Sequence, residues 1–171
     1  LWAAVMIAVP DSRLMLKYRN FWGDEVLATL LRARFAAQDI DPERLVFLAG
    51  DDPRQSHLAL YEQVDIALDP FPFNGATTSF EALAMGVPVI ALCGRHFVDR
   101  VGGALLRQAG LGELAAANQK DYIIAARDLA LDPGRLAGLR KGLRERLTAS
   151  PLCNGPAYAR SVEAAFREMS T

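Results

Sequence analysis

Short apolar runs alternate with longer amphipathic stretches along the first two thirds of the chain. Runs such as residues 44–49 and 88–92 are almost wholly apolar, as expected for strands of a parallel sheet that is covered on both faces. The stretches between them place apolar residues at helical spacing. This alternation predicts an α/β fold with a doubly wound parallel sheet. The predicted strands are residues 13–18, 44–49, 64–68, 88–92 and 113–115, and the predicted helices between them are residues 25–38, 52–63, 77–86 and 98–109.

Both ends of the chain are predicted to be helical. Near the start, apolar residues recur at i, i+3, i+4 and i+7, which is one face of a helix. Beyond the last predicted strand the pattern is helical only, and we expect the apolar faces of these extra C-terminal helices to pack in the core or against another lobe. The first helix covers residues 2–9, and the C-terminal helices include residues 122–129, 136–147 and 157–169.

The order of the elements leaves the start of the sheet incomplete. A doubly wound half usually opens with a strand that is central in the sheet, whereas a helix comes first here. We therefore expect the first strand to be missing from these residues. Residues 13–18 and 65–68 would then flank a gap, and their unpaired edges would favour pairing with a partner strand or a second copy of the chain.

The stretch after the third predicted strand carries the most specific chemical signal. Two prolines prevent a regular element there, and Asn74-Gly75 permits a sharp turn. Thr77 and Thr78 follow where a helix begins. A helix start offers free N–H groups and a partial positive charge of about half a unit, and these bind phosphate. Ligands of such sheets bind at the carboxyl ends of the strands, so this turn predicts a phosphate site.

Composition limits the possible functions without naming one. The 171 residues suffice for one α/β domain, and we expect residues 1–171 to form a single lobe. The formal net charge of -1 gives no whole-surface attraction for nucleic acid or an anionic membrane. Cys93 and Cys153 form no CxxC site, and we expect two buried thiols in a reducing, cytoplasmic location. No metal-ligand cluster has a credible spacing, so neither a metal nor another cofactor is expected.

Two segments make the sequence recognisable. Residues 69–78 read DPFPFNGATT, and residues 81–89 read EALAMGVPV. With these segments the chain resembles the O-GlcNAc transferase family, in particular its bacterial members with tetratricopeptide repeats and the plant SPINDLY-type proteins. The resemblance covers nearly the whole chain and implies the Rossmann-like, donor-binding C-terminal lobe of a GT-B glycosyltransferase. It continues through Gly94 and residues 99–102, 109–114 and 150–152.

The resemblance implies a diphosphate site at the turn. Thr77 and Thr78 match paired threonines that hold the diphosphate of a UDP-sugar together with the helix start. Asn74, Gly75 and Ala76 form the turn that leads into them and are expected to line the same site. Ala76 replaces a histidine of the animal enzymes, which leaves the identity of the sugar open.

The resemblance also implies a nucleoside site. Glu81 stands where the animal enzymes use an aspartate to bind the ribose hydroxyls, and it is one methylene longer. Arg54 and His57 match a lysine and a histidine near the uridine. Arginine presents a planar fork where lysine presents a point charge. No catalytic residue is assigned.

Each of these residues also has a purely structural interpretation. Thr78 and Glu81 have the spacing of a capping box, in which both side chains bond the helix's own N–H groups. His57 would then be an ordinary surface residue, and His96 is expected to be exposed. Asp99-Arg100 is expected to be a local surface pair, worth under about 1 kcal/mol.

Two functions follow, and both stay open at this point. The first is the donor lobe of a protein O-glycosyltransferase that transfers a sugar from a UDP-sugar, UDP-GlcNAc foremost, to Ser or Thr. Fixed N–H dipoles and hydroxyls suit the charge that grows on the leaving diphosphate. The second is a non-catalytic module for nucleotide sensing or protein contact. We expect the 171 residues to be inactive alone, because transfer needs donor and acceptor held in one geometry and the acceptor-binding parts lie outside this lobe.

Overall fold

The computed structural model describes residues 1–50 and 57–170 and has the predicted fold class. Every strand pair in it is parallel. No helix in this part of the chain is both long and apolar enough to cross a membrane. The strands are β1 (Leu14–Lys17), β2 (Leu45–Leu48), β3 (Ala67–Leu68), β4 (Val89–Leu92) and β5 (Ala115–Ala116). The α-helices are α1 (Trp2–Ala8), α2 (Glu25–Ala36), α3 (Thr77–Ala84), α4 (Val101–Gln108), α5 (Gln119–Ala130), α6 (Pro133–Ala149) and α7 (Gly155–Met169).

The strands form two separate sheets. One has the order β1-β2, with Leu14 opposite Leu45. The other has the order β3-β4-β5, with Ala67 opposite Val89 and Ala91 opposite Ala115. Within residues 1–50 and 57–170, β1 and β3 are not paired with each other. The expected gap between these two strands is therefore confirmed.

Three predicted elements differ from the structure. The strand expected at residues 113–115 is wrong by two positions, because Leu114 N–H bonds the Leu111 carbonyl and closes a 3₁₀ turn before β5 begins. The described end of the predicted helix 52–63 is a 3₁₀ helix, His57–Gln63, and residues 51–56 lie outside the described residues. Residues 98–100 precede α4, since a separate 3₁₀ turn occupies Phe97–Asp99.

Helix starts fall into two groups. At α2, α5, α6 and α7 a side-chain oxygen at the N-cap accepts a hydrogen bond from a first-turn N–H, as is typical of a capped helix. The N-cap residues of α1, α3 and α4 are Leu1, Ala76 and Arg100, and none of them makes a side-chain cap. The starts of α3 and α4 follow strands of the larger sheet. The capping residues are Asp24, Asn118, Asp132 and Asn154.

Two hydrophobic cores lie against the two sheets. The larger surrounds β4, whose four residues are all buried, and includes Tyr122 of α5. The smaller lies against β1 and β2. Helix α1 joins them, because Val5 packs in the larger core and Met6 in the smaller one. Leu68 at the end of β3 packs against both cores, so the open edge of β3 lies between them.

The C-terminal helices pack unequally. Helices α5 and α6 bury Leu129, Leu143 and Leu147 in the larger core, as expected. Helix α7 instead exposes its aromatic side chains, with Tyr158 72% and Phe166 65% accessible. Its apolar face therefore lies outside both cores, and packing against another lobe stays a prediction.

The expectation of two buried thiols is wrong. Cys93 is half-buried at the end of β4, and Cys153 is exposed. Cys153 lies in the 3₁₀ turn Pro151–Cys153 that links α6 to α7, where the chain runs over the surface. Neither cysteine forms a disulfide.

Candidate functional site

The predicted site residues lie at the carboxyl end of β3. Residues 70–76 form a loop after that strand, and α3 begins at Thr77. The neighbouring strand β4 is followed by residues 93–96, and α4 begins shortly after them at Val101. Two helix starts therefore lie at one edge of the larger sheet, which is where doubly wound folds bind ligands.

The start of α3 is open. Ala76 occupies the N-cap position, and its methyl group cannot accept a hydrogen bond. Thr77 and Thr78 are the first two residues of the helix and both are exposed. The capping-box interpretation of Thr78 and Glu81 is therefore wrong, because Thr78 lies inside the helix rather than at its cap. The first-turn N–H groups of α3 receive no side-chain cap.

Asp69 holds the loop from beneath. It directly follows β3 and is 2% exposed. Its Oδ1 accepts a hydrogen bond from Gly75 N–H at 2.8 Å and another from the Ser79 hydroxyl at 2.8 Å. The two bonds join the beginning of the loop to its end and to the first turn of α3.

Burial and hydrogen bonding act in opposite directions on the Asp69 carboxyl. Burial raises the pKa of Asp69, and the bonds from Ser79 and Gly75 lower it by less, leaving the pKa at about 6. The second oxygen, Oδ2, is buried and has no hydrogen-bond partner in the structure. Desolvation of an unpaired carboxylate oxygen favours the neutral acid, which explains the direction of the shift.

Asn74 joins the loop to the neighbouring strand and helix. It is 2% exposed, and its Nδ2 donates to the Pro70 carbonyl at 3.0 Å. Its Oδ1 accepts from Gly102 N–H in the first turn of α4 at 3.3 Å. Nδ2 also lies 3.4 Å from the Leu92 carbonyl at the end of β4. The side chain is occupied by protein partners, so a donor contact at Asn74 stays a prediction.

Gly75 has no room for a side chain. A Cβ atom at this position would lie 2.4 Å from Ser79 Oγ, 2.7 Å from Thr78 Oγ1 and 2.9 Å from Asp69 Oδ1. A residue with a side chain would displace all three groups. The Thr78 hydroxyl and the Asp69 carboxylate therefore border the same Cβ-sized space.

His57 and Glu81 meet beside the helix start. Their Nε2 and Oε2 atoms are 3.4 Å apart, with the imidazole 51% and the carboxylate 30% exposed. Tyr61 supports this pair. Its ring packs edge-on against the His57 ring, with the ring centroids 5.9 Å apart, and its hydroxyl donates to the Thr78 carbonyl at 3.0 Å. Burial, and to a smaller extent the Glu81 carboxylate, raises the pKa of Tyr61 to about 12. Arg54, the other predicted nucleoside contact, lies outside the described residues.

Sequence reasoning missed three residues that shape the site. Asp69 and Ser79 hold the loop, and Tyr61 ties the segment of His57 to α3. Asp69 could have been noticed in the sequence, because it is an acidic residue directly after an apolar strand, where burying a charged side chain is costly.

The neighbouring loop also differs from expectation. The predicted surface pair Asp99-Arg100 is wrong, because Asp99 is 4% exposed and its Oδ2 lies 3.3 Å from His96 Nδ1. The bond from Gly94 N–H to the Asp99 carbonyl closes this loop and turns Asp99 inward. His96 is exposed, as expected.

The described residues contain no group of three or more His, Cys, Asp or Glu side chains placed to hold a metal ion. The residues of the loop and of the start of α3 present backbone N–H groups and hydroxyls instead.

Comparison with known proteins decides the family. The pattern of glycosyl transferase family 41 matches residues 1–162. The chain belongs to this family. It is 38% identical over 172 residues to the probable UDP-N-acetylglucosamine–peptide N-acetylglucosaminyltransferase SPINDLY of Arabidopsis thaliana, and 39% identical to that of Hordeum vulgare. These alignments cover 98% of this chain.

A solved structure gives the same fold. A mutant O-GlcNAc transferase from Thermobaculum terrenum superimposes with a TM-score of 0.89 at 39% identity, covering 98% of this chain and 32% of that one. The residues that the structure describes therefore have the fold of a GT-B lobe of that transferase. The chain spans only 18% of the length of the two SPINDLY relatives.

Proposed function

We propose that this chain is the donor-binding lobe of a family 41 glycosyltransferase and that it binds a UDP-sugar at the start of α3. The observation that carries the proposal is the uncapped first turn of α3 with exposed Thr77 and Thr78 beside the His57–Glu81 pair. A free helix start attracts anions through its N–H groups and its partial positive charge. The diphosphate would occupy this position.

The diphosphate is held without a metal ion in this proposal. Backbone N–H groups and threonine hydroxyls donate hydrogen bonds to phosphate oxygens, and bonds to a charged acceptor are about twice as strong as neutral ones. The same donors oppose the negative charge that grows on the leaving UDP during transfer. The residues that take this role are Ala76, Thr77 and Thr78, and Gly75, whose N–H bonds Asp69 Oδ1, lines the same site.

The nucleoside lies beside Glu81 and His57. The Glu81 carboxylate accepts hydrogen bonds from ribose hydroxyls, and it is 30% exposed, so a ligand can reach it. His57 Nε2, 3.4 Å from Glu81 Oε2, holds the carboxylate in place. Arg54 is proposed to contact the uracil base, on the strength of the sequence resemblance alone.

The sugar and the acceptor are inferred from the names of the relatives. The SPINDLY proteins are named as transferring N-acetylglucosamine to peptide, and we propose UDP-GlcNAc as donor and Ser or Thr of proteins as acceptor. The two free thiols fit a reducing, cytoplasmic location.

The unpaired edges of β1 and β3 suggest a further binding partner. β1 pairs only with β2, and β3 only with β4, within the part of the chain that the structure describes. Exposed edges present unpaired N–H and C=O groups that bind another strand. We propose that copies of this chain associate through these edges, which sedimentation analysis over a range of concentrations tests. A species that stays monomeric at every concentration contradicts it.

Titration of the ¹⁵N-labelled chain with UDP-GlcNAc tests the location of the site. The amide resonances of residues 75–79 and of His57 and Glu81 are expected to shift. Shifts confined to other residues, or none at saturating ligand, would contradict the proposed function.

A further inference from the structure

The donor site is built directly above a buried carboxylate that has no cationic partner. Asp69 lies under the loop, and its Oδ1 and the Thr78 hydroxyl both lie within 3 Å of the position that a Cβ atom of Gly75 would take. Among the described residues, no basic side chain forms an ion pair or hydrogen bond with Asp69. A diphosphate at the start of α3 would therefore bring a second anion close to the first.

The two oxygens of Asp69 have different tasks. Oδ1 accepts both hydrogen bonds that close the loop, from Gly75 and Ser79. Oδ2 is buried beside Gly102 and accepts none. A proton placed on Oδ2 breaks no hydrogen bond, because Oδ1 of the neutral acid still accepts two. The loop therefore stays closed in both protonation states.

We propose, on the basis of the donor site inferred above, that Asp69 is a positioning residue that takes up a proton when the UDP-sugar binds. The ionised carboxylate closes the loop in the free protein. The arriving diphosphate repels the negative charge across a short, poorly solvated distance and thereby favours the protonated form. By linkage, protonation and donor binding strengthen each other.

The charge state of Asp69 makes this coupling accessible near neutral pH. Burial leaves the pKa of Asp69 at about 6 in the free protein, so the residue is mainly ionised at pH 7 and a modest further rise changes its state. Tyr122 of α5 donates from its hydroxyl to the Asp69 carbonyl at 3.3 Å and stays neutral, since burial raises its pKa. The other ionisable side chains on the elements around Asp69 are Glu81 on α3 with its partner His57, Cys93 and Arg95 after β4, Asp99 and His96 before α4, Arg100 and Arg107 at α4, and Lys120, Asp121, Arg127 and Asp128 on α5.

The test uses UDP-GlcNAc, because each of its two phosphates is esterified and the charge of the diphosphate stays constant near neutral pH. Calorimetry in buffers of different ionisation enthalpy reports the number of protons taken up on binding. We expect net uptake at about pH 6.5, and affinity that rises as the pH falls, by about tenfold for each unit by which the ligand raises the pKa of Asp69.

Two variants separate this role from a merely structural one. Asp69→Asn mimics the protonated acid and keeps the Oδ1 acceptor, so it is expected to bind UDP-GlcNAc several-fold more tightly than the wild type at about pH 7.5 and to lose proton uptake. Asp65→Asn removes an exposed carboxylate just before β3 and is expected to behave as the wild type. A purely structural Asp69 predicts weaker binding by Asp69→Asn.

The outcomes distinguish this inference from the function on which it rests. Wild-type protein that binds UDP-GlcNAc with no proton uptake and no pH dependence overturns the inference and leaves the donor site in place. Wild-type protein that binds no UDP-GlcNAc at any pH overturns both. The wild-type calorimetry decides the question even if Asp69→Asn fails to fold.

Discussion

His57 Nε2 lies 3.4 Å from Glu81 Oε2 across the edge of the proposed donor site. The sequence offered two roles for Glu81, which were to bind the ligand and to cap its own helix. The structure removes the capping role, since α3 has no side-chain cap. His57 and Glu81 therefore form a partly exposed pair beside the proposed donor site.

Glu81→Ala is therefore expected to lower UDP affinity with little loss of stability. The exposed pair with His57 is worth under about 1 kcal/mol, so the urea midpoint should change little, while calorimetry should report clearly weaker UDP binding. Glu62→Ala, which removes an exposed carboxylate from the neighbouring 3₁₀ helix, serves as the control. Equal losses of stability and affinity would indicate that Glu81 is structural.

Thr77→Ala is expected to weaken UDP binding by roughly 1 kcal/mol, the size of one hydrogen bond, without affecting folding. Thr77 is exposed and begins α3. Thr77→Ser keeps the hydroxyl and should retain the wild-type affinity. If Thr77→Ala instead lowered the melting temperature of the free protein, the hydroxyl would belong to the fold rather than the site.

Gly102 is expected not to tolerate a side chain, because it packs against the Asp69 carboxylate. A Cβ atom at Gly102 would lie 2.2 Å from Asp69 Oδ2 and 3.0 Å from the Ala91 methyl group, in a buried position. Gly102→Ala is expected to destabilise the protein by roughly 1–3 kcal/mol through overpacking. Gly138 lies at an exposed position of α6 with open space around it, so Gly138→Ala should stabilise by about 0.5–1 kcal/mol. Urea unfolding of both variants checks the pair, and similar behaviour would contradict the packing around Asp69.

Stability should depend on pH through Asp69 in a defined direction. The pKa of this carboxyl is about 6 in the folded protein against 3.8 for the ordinary group, so the folded state binds the proton more strongly. This contribution is fully present below pH 3.8 and is lost as the pH rises through about 6.

Asp69→Asn removes that dependence because it has no proton to lose. The difference in unfolding free energy between the variant and the wild type should favour the variant increasingly as the pH rises from about 4 to 7, by about 1.4 kcal/mol per unit of pKa shift. Urea unfolding at several pH values measures this difference. A difference that stays constant with pH would show that Asp69 has an ordinary pKa.

The sequence predicted the class of fold and the place of the site for physical reasons that act locally. Apolar runs alternating with helical periodicity required a parallel sheet, and Thr77-Thr78 after a turn rich in proline and glycine required a helix start at its edge. The gap between β1 and β3 was predictable because it follows from the order of the elements along the chain. The motif DPFPFNGATT added the family.

The remaining features depend on contacts between residues distant in the chain. The turn at residues 112–114 replaces a strand because of how the end of α4 is closed. The roles of Asp69 and Asn74 depend on which strands and helices meet beneath the loop. Asp99 is buried through a backbone bond to Gly94, which residue type alone does not reveal.

Calorimetric titration of this chain with UDP, in the presence of EDTA, tests the central claim most directly. If the start of α3 is a donor site that works without a metal, UDP binds, and thermal unfolding shows a stabilisation of about 2.7 kcal/mol at a UDP concentration 100 times the dissociation constant. Uridine, which lacks the diphosphate, should bind far more weakly. Absence of UDP binding, or binding that EDTA abolishes, would contradict the account.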